Sequence, residues 1–346
     1  MIDVDSFFSD SYEIALSRFL EAGAGVGATH VQVPLGDGFN HDYLWFGSLN
    51  PKKAVVHIAG THGVEGFVGA AIQLAALSRA SEIQNFCCSG DSALVFLLAL
   101  NPWGFKNLRR VNSNNVDLNR NFLDPWDPPT ASPEYIKLYD WVNPKGSTSA
   151  FSYYATAIAL ILRYGIPTLK QAFAGGQATF PKGIYYCGDK PQVETIKFTE
   201  FLEQRFEGAE RLNIIEVHSG LGSFAQNTVF SFGHDDKERQ RLSQELDTAL
   251  VDDCPAGVGI KTTGDIARWF ESRFNRRGCN WYLQEFGTFH PIRVLKALRD
   301  ENAEFHLGHR SPAVKQQLMD AFCPVGAWRS KVLDHGLRFL KNVLKS

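Results

Sequence analysis

Short aliphatic or β-branched runs alternate along the chain with longer stretches in which apolar residues recur every three or four positions. The runs predict strands over 29–34, 43–46, 54–59, 93–100, 212–218, 228–232, 259–262 and 280–286. The stretches predict helices over 6–21, 64–79, 149–173, 193–206, 235–250, 264–274, 292–302 and 328–345. Several strand candidates are apolar throughout, as a sheet covered by helices on both faces requires. Alternating strands and helices argue a layered α/β architecture. Residues that do chemistry in such sheets gather where central strands end and the chain leaves the core. Polar clusters sit at such exits over 60–65, 218–222 and 285–288, and a long polar loop, 101–122, follows the strand predicted at 93–100.

Composition narrows the function classes. The 346 residues are 44% hydrophobic and 21% charged, values of an ordinary globular protein. With 35 basic against 37 acidic residues, nothing suggests a nucleic acid or an anionic membrane as partner. The apolar runs are far shorter than the ~20 residues of a membrane span. Six cysteines without a CxxC pair are too sparse for a disulfide scaffold. Residues 1–8 carry no basic region followed by an apolar run, and reduced thiols in a cytoplasm are the expectation.

The leading chemical signal is Gly60-Thr61-His62-Gly63-Val64-Glu65-Gly66, where an imidazole and a carboxylate three residues apart enter a predicted helix. Such a pair can converge on a metal, although a solvated histidine beside a helix-starting glutamate would leave the same pattern. Catalytic zinc takes three protein ligands and leaves a further position to water. His218, released from a strand into Ser219-Gly220-Leu221-Gly222, can supply the third ligand, whereas His57, in mid-strand, reads as a buried structural histidine. Glu285 ends an aromatic-rich strand, where a carboxylate is costly to bury unless it is paired or protonated. Beside a metal it could move a proton; beside an arginine it would be a salt bridge. The loop 108–122 holds three arginines and five asparagines, anchored by Val116, Leu118 and Phe122. Guanidinium forks suit carboxylate recognition and oxyanion stabilisation.

Together these residues resemble the zinc carboxypeptidase superfamily, which includes succinylglutamate desuccinylase and aspartoacylase. The order is Gly-Thr-His62-Gly-Val-Glu65-Gly, Arg110-Val-Asn, Val-Asp117-Leu-Asn119-Arg120-Asn-Phe, His218 and Glu285. The chain looks most like an uncharacterised bacterial branch described as metallopeptidases, and the match spans roughly residues 40–300. The resemblance implies a three-layer α/β/α fold around a mixed, mainly parallel sheet, as a single catalytic domain over 1–346. It implies one zinc ion on His62, Glu65 and His218, with Asp117 orienting His62. Arg110 would polarise the scissile carbonyl, Asn119 and Arg120 would hold a substrate carboxylate, and Glu285 would be general base and then acid. The Arg-x-Asn pattern falls on Arg110, not Arg109.

The chain departs from the digestive carboxypeptidases, which place a mobile tyrosine well upstream of the catalytic glutamate. Between His218 and Glu285 the only tyrosine is Tyr282, in the same strand as Glu285. The expected activity is zinc-dependent hydrolysis of an amide bond in a small or peptide substrate with a free carboxylate. The alternatives are an N-acyl amino acid deacylase, a catalytically silent carboxylate-binding module, and a metal-free protein in which these groups form ion pairs. The segment 175–186, with its glycines, proline and paired tyrosines, is either a substrate-covering loop or an ordinary connection. Gly23–Ala28 fits a dinucleotide fingerprint only on paper, because it follows a helix and precedes a strand. Ser219 lacks the first glycine of a nucleophile elbow.

Overall fold

The computed structural model describes residues 3–146, 148–252 and 262–346. Eight strands form one sheet: β1 (Thr29–Gly36), β2 (Phe39–Gly47), β3 (Lys53–Ile58), β4 (Ser92–Leu97), β5 (Arg211–Ser219), β6 (Asn227–Ser231), β7 (Leu250–Asp252) and β8 (Cys279–Phe286). Their spatial order is β1-β2-β4-β3-β5-β8-β6-β7. The centre, β4-β3-β5-β8, is parallel, while β1, β2 and β6 meet their inner neighbours antiparallel. This is the mixed sheet of a three-layer α/β protein.

The period of two along each strand builds the layers. On β2, Leu44 and Phe46 join one core while Tyr43 and Trp45 join the other; on β5, Ile215 and Val217 oppose Leu212 and Ile214. Helices Tyr12–Gly25, Gly66–Leu77 and Ala327–Lys345 cover the first face. Helices Val193–Phe206 and Ile266–Arg273 cover the second, together with Val116, Leu118 and Phe122 of the long loop.

Several elements differ from expectation. The helix predicted over 149–173 breaks at Gly165 (φ 76°) into Ala150–Tyr164 and Ile166–Ala174, with Pro167 starting the second. The helix predicted over 235–250 stops at Glu245, and Leu250 opens β7, which pairs parallel with β6. Helices Ala80–Cys87 and Pro312–Phe322 have no counterpart in the sequence reading. The strand predicted at 259–262 lies, but for Thr262, outside the described residues. Cys87, Cys88, Cys187, Cys279 and Cys323 are free thiols. Among the described residues no helix is long and apolar enough to cross a membrane.

Candidate metal centre

Parallel pairing sets the site. In the register of β5 and β8, His218 stands directly opposite Glu285, and Glu216 opposite Leu283. Next to β5, β3 ends at Ile58, and the chain continues through Ala59–Thr61 to His62, which caps a 3-10 turn, Gly63–Glu65, leading into helix Gly66–Leu77. The long loop fastens this turn: Val64 N–H donates to Arg109 O (2.9 Å) and Gly63 N–H to Arg110 O (3.2 Å). A Cβ at Gly63 would overlap the backbone of Gly104 and Phe105, so the close approach of these segments requires glycine.

His62, Glu65 and His218 are all buried, and one ligand atom from each lies within 4.8 Å of the others. His62 Nδ1 is 2.9 Å from Glu65 Oε1, His218 Nδ1 is 3.0 Å from Glu65 Oε2, and the two Nδ1 atoms are 3.1 Å apart. The outer nitrogen of each ring meets a carboxylate: His62 Nε2 lies 3.0 Å from Asp117 Oδ1, and His218 Nε2 lies 2.7 Å from Glu216 Oε1. A carboxylate only accepts, so with a cation held between the rings each neutral imidazole would carry its proton on Nε2 and offer its Nδ1 lone pair inward. Two ring nitrogens and a carboxylate thus face one another, an arrangement that a shared cation or protons hold together. Tetrahedral ligands at the usual 2.0–2.1 Å would stand about 3.3 Å apart, close to the spacings here. The donor set fits a divalent ion.

Without one, protons answer the same field. Burial works against charge on His218, but the Glu216 and Glu65 carboxylates hold its pKa well above the ordinary imidazole range. Burial would raise Glu65, but His62 and His218 hold it far below the usual carboxylate range. Asp117 is likewise opposed by burial yet held low by Arg110 and His62. Glu285 goes the other way: burial, aided by the charge on Glu65, pushes it up to about 8. Its Oε1 accepts from Leu221 N–H at 2.9 Å.

The two arginines diverge. Arg110 donates from Nε to Asp117 (3.0 Å) and from Nη1 to Glu65 (3.3 Å), beside the ligands. Arg109 points away, buried against Glu301, Asn115 and Asn302, with its guanidinium 3.6 Å over the Phe305 ring. Asn119 and Arg120 also line the cleft, whose volume is about 330 Å³. Asn119 Oδ1 accepts from Ile266 N–H, and Arg120 Nε and Nη2 both donate to Ala174 O (3.0 and 2.8 Å). All eight residues singled out in the sequence thus line this cleft or, for Asp117, back it.

Two further residues escaped the sequence reading. Glu216, fully buried, accepts from Thr61 Oγ1 (2.8 Å) and Trp281 Nε1 (3.1 Å) besides its bond with His218. Its signal was legible: a carboxylate inside an apolar strand, two residues before a histidine and so on the same face. Tyr185, in the segment that read as either a covering loop or an ordinary connection, lines the cleft with its ring 5.1 Å from the Arg110 guanidinium and a backbone φ of 56°. A bulky residue in the left-handed region is held there by its surroundings.

The family described as "Protein of unknown function (DUF2817)" matches residues 8–335. No curated protein matches the chain. Among solved structures, a chain from Shewanella denitrificans OS-217, provisionally assigned as a carboxypeptidase A, is 12% identical at a TM-score of 0.52, covering 98% of this chain and 70% of its own. Thrombin activatable fibrinolysis inhibitor is 13% identical at 0.51, covering 94% and 74%. A metallo-carboxypeptidase from Pseudomonas aeruginosa, solved in complex with (2-guanidinoethylmercapto)succinic acid, is 13% identical at 0.50, covering 95% and 67%. The fold is that of the zinc carboxypeptidase-like proteins.

Proposed function

Because the chain belongs to the DUF2817 family, whose description leaves function open, its activity has to be read from the site, and we propose that it is a zinc-dependent hydrolase of an amide bond in a small, carboxylate-bearing substrate. The observation that carries this reading is the convergence of His62 Nδ1, His218 Nδ1 and the Glu65 carboxylate, with Asp117 and Glu216 behind the two rings. Two imidazoles and a carboxylate suit zinc, with manganese or cobalt able to substitute in vitro. When bound, the ion supplies Lewis acidity to a carbonyl and to water.

The chain's own groups account for the remaining chemistry. Glu285 takes the proton of the attacking water as its oxygen bonds to the carbonyl carbon. It then delivers that proton to the nitrogen as the carbon–nitrogen bond breaks. A carboxyl group whose burial favours the protonated form suits the second step. Arg110 aims its guanidinium at the oxygen on which negative charge develops. Asn119 and Arg120 orient a substrate carboxylate from the cleft wall, and Tyr185 closes it on the side of Arg110. Residues 1–346 act in this reading as one catalytic unit.

The test is metal analysis of protein purified without added zinc, followed by a panel of dipeptides, murein-type peptides and N-acyl amino acids. We expect about one equivalent of zinc and zinc-dependent hydrolysis; preference within the panel decides between peptidase and N-acyl amino acid deacylase. Less than about 0.1 equivalent, with no uptake on titration, would overturn the reading. Glu285→Gln should keep the metal and lose nearly all turnover, about a hundredfold or more. A carboxylate-binding module would be indifferent to that change.

A further inference from the structure

Helix Ala150–Tyr164 carries two apolar stripes, and the fold of one chain uses only one of them. On the inner side Tyr153 and Ala157 are buried, and with helices Ile166–Ala174 and Pro291–His306 they wall an apolar chamber of about 280 Å³ beside the metal cleft. On the outer side Phe151, Tyr154, Ala155, Ile158, Ala159 and Leu162 face solvent. Phe151 is 85% exposed, Leu162 83% and Ile158 57%. Counted from Phe151 the others follow at three, four, seven, eight and eleven residues, the spacing of a single helix face. Between Ser149 and Tyr164 the only charged residue is Arg163. A helix apolar all round belongs in an interior, so the outer stripe calls for a cover.

Size and symmetry identify that cover. The six outer residues leave roughly 600 Å² open, as much as the largest patches that ordinary monomers expose. Buried twice in a two-fold contact, the stripe removes roughly 1,200 Å² from water, the lower end of specific protein interfaces. The stripe is also its own complement. Reversed end for end about the point between Thr156 and Ala157, Phe151 meets Leu162, Tyr154 meets Ala159, and Ile158 meets Ala155. The last two pairs set a large side chain against a methyl group, which lets helices approach to about 8 Å. Arg163 falls opposite Ala150 and so avoids its own twin. A contact between two copies of one surface demands such self-matching. A helix lying on a membrane instead carries lysines and arginines along a polar face, whereas the face opposite this stripe is packed into the protein's own core.

We propose that the outer face of helix Ala150–Tyr164 docks on the same face of a second copy of this chain, the two helices antiparallel about a two-fold axis at the level of Thr156 and Ala157. The contact goes beyond the hydrolase reading and does not depend on it. Each helix is then held between the partner on its outer side and its own chamber on the inner side.

Sedimentation velocity of the full chain, from about 1 to 100 µM, should show a dimer whose dissociation constant lies in or below that range. Ile158→Glu, or Leu162→Glu should the first not fold, puts two carboxylates into the contact and should raise the constant about a hundredfold or more. Leu49→Glu, at an exposed apolar position in the loop between β2 and β3, should leave it unchanged. The register has its own test. Ala155→Glu and Ile158→Lys should each weaken the dimer alone, yet their mixture should associate at least about tenfold more tightly than either. In the mixed dimer the new carboxylate faces the new ammonium at one pair, and the other pair keeps its native partners. A monomer across the whole range, a dimer indifferent to the charged variants of Ile158 and Leu162, or a mixture no tighter than its parts would overturn the proposal. So would a monomer that binds vesicles of phosphatidylcholine and phosphatidylglycerol, which would give this face to a membrane.

Discussion

Glu216 sits in a strand between Ile215 and Val217, and the three hydrogen bonds it accepts, from His218, Thr61 and Trp281, explain how a carboxylate survives there. It fixes the proton of His218 on Nε2 and turns Nδ1 inward, as Asp117 does for His62. Glu216→Gln can present an amide N–H where an acceptor is needed, so it should lower zinc affinity about 10- to 100-fold, measured by competition with a chelator. Undiminished affinity would make Glu216 a packing feature only. The residues of the cleft were legible through their combination and order, since a His-x-x-Glu entering a helix and a histidine at a strand exit are each ordinary alone. Partners far apart along the chain are not written locally: the pairing of Asp117 with His62 came only through the family resemblance, and that of Glu216 with Thr61 was not anticipated. Asp117 lies 55 residues from His62, and Glu216 lies 155 from Thr61. Nothing local announces such pairs.

At the scale of elements, the turn Gly63–Glu65 is the most constrained piece of the site. Its backbone is bonded to Arg109 and Arg110, and Gly63 abuts Gly104 and Phe105 with no room for a methyl group. Gly63→Ala should cost about 1–3 kcal/mol of stability and, by displacing His62 and Glu65 together, lower zinc uptake as well. Thermal melts of the metal-free protein and zinc titration check the two effects separately; a stable variant with full uptake would show that the neighbouring segment can yield. Strands were the most readable elements: β4 is buried throughout and reads Ser-Ala-Leu-Val-Phe-Leu, and the aliphatic residues of β3 and β5 are broken only by a few polar ones. Helix ends were less so. The periodicity over 149–173 continues through Gly165, although the backbone there reverses to φ 76°. The three residues of β7 carry too few positions to show any period.

Across the whole molecule, buried histidines away from the cleft couple folding to pH. His41, bonded to Leu100 O, has its pKa lowered to about 4 by burial, and His57, beside Gln73, is lowered by burial to about 3. In the unfolded chain both titrate near 6.5. Below that pH the unfolded state takes up protons that the folded state refuses. The stability these residues contribute is therefore full above about 6.5 and is lost as pH falls toward about 4 and then about 3. The loss is on the order of 3 kcal/mol for His41 and 5 kcal/mol for His57. Urea midpoints measured from pH 7.5 to 4.5 in the unaltered chain and in His57→Leu should diverge below about 6.5, the variant's dependence on falling pH being shallower by up to one proton. An unchanged slope in His57→Leu would contradict the assignment. The layered α/β class could be read from alternation alone, but the strand order could not, because a sheet of this kind is decided by contacts between segments far apart in sequence.

The ion-binding groups issue from β3 and β5 and their helix entry, whereas the walls of the apolar chamber come from helices Ala150–Tyr164, Ile166–Ala174 and Pro291–His306. The donor cluster and the apolar wall are thus supplied by different stretches of polypeptide. The outer stretch touches the donors' surroundings through the two bonds from Arg120 to Ala174 O, so an exchange that keeps this carbonyl in place would leave the donor groups on their foundations.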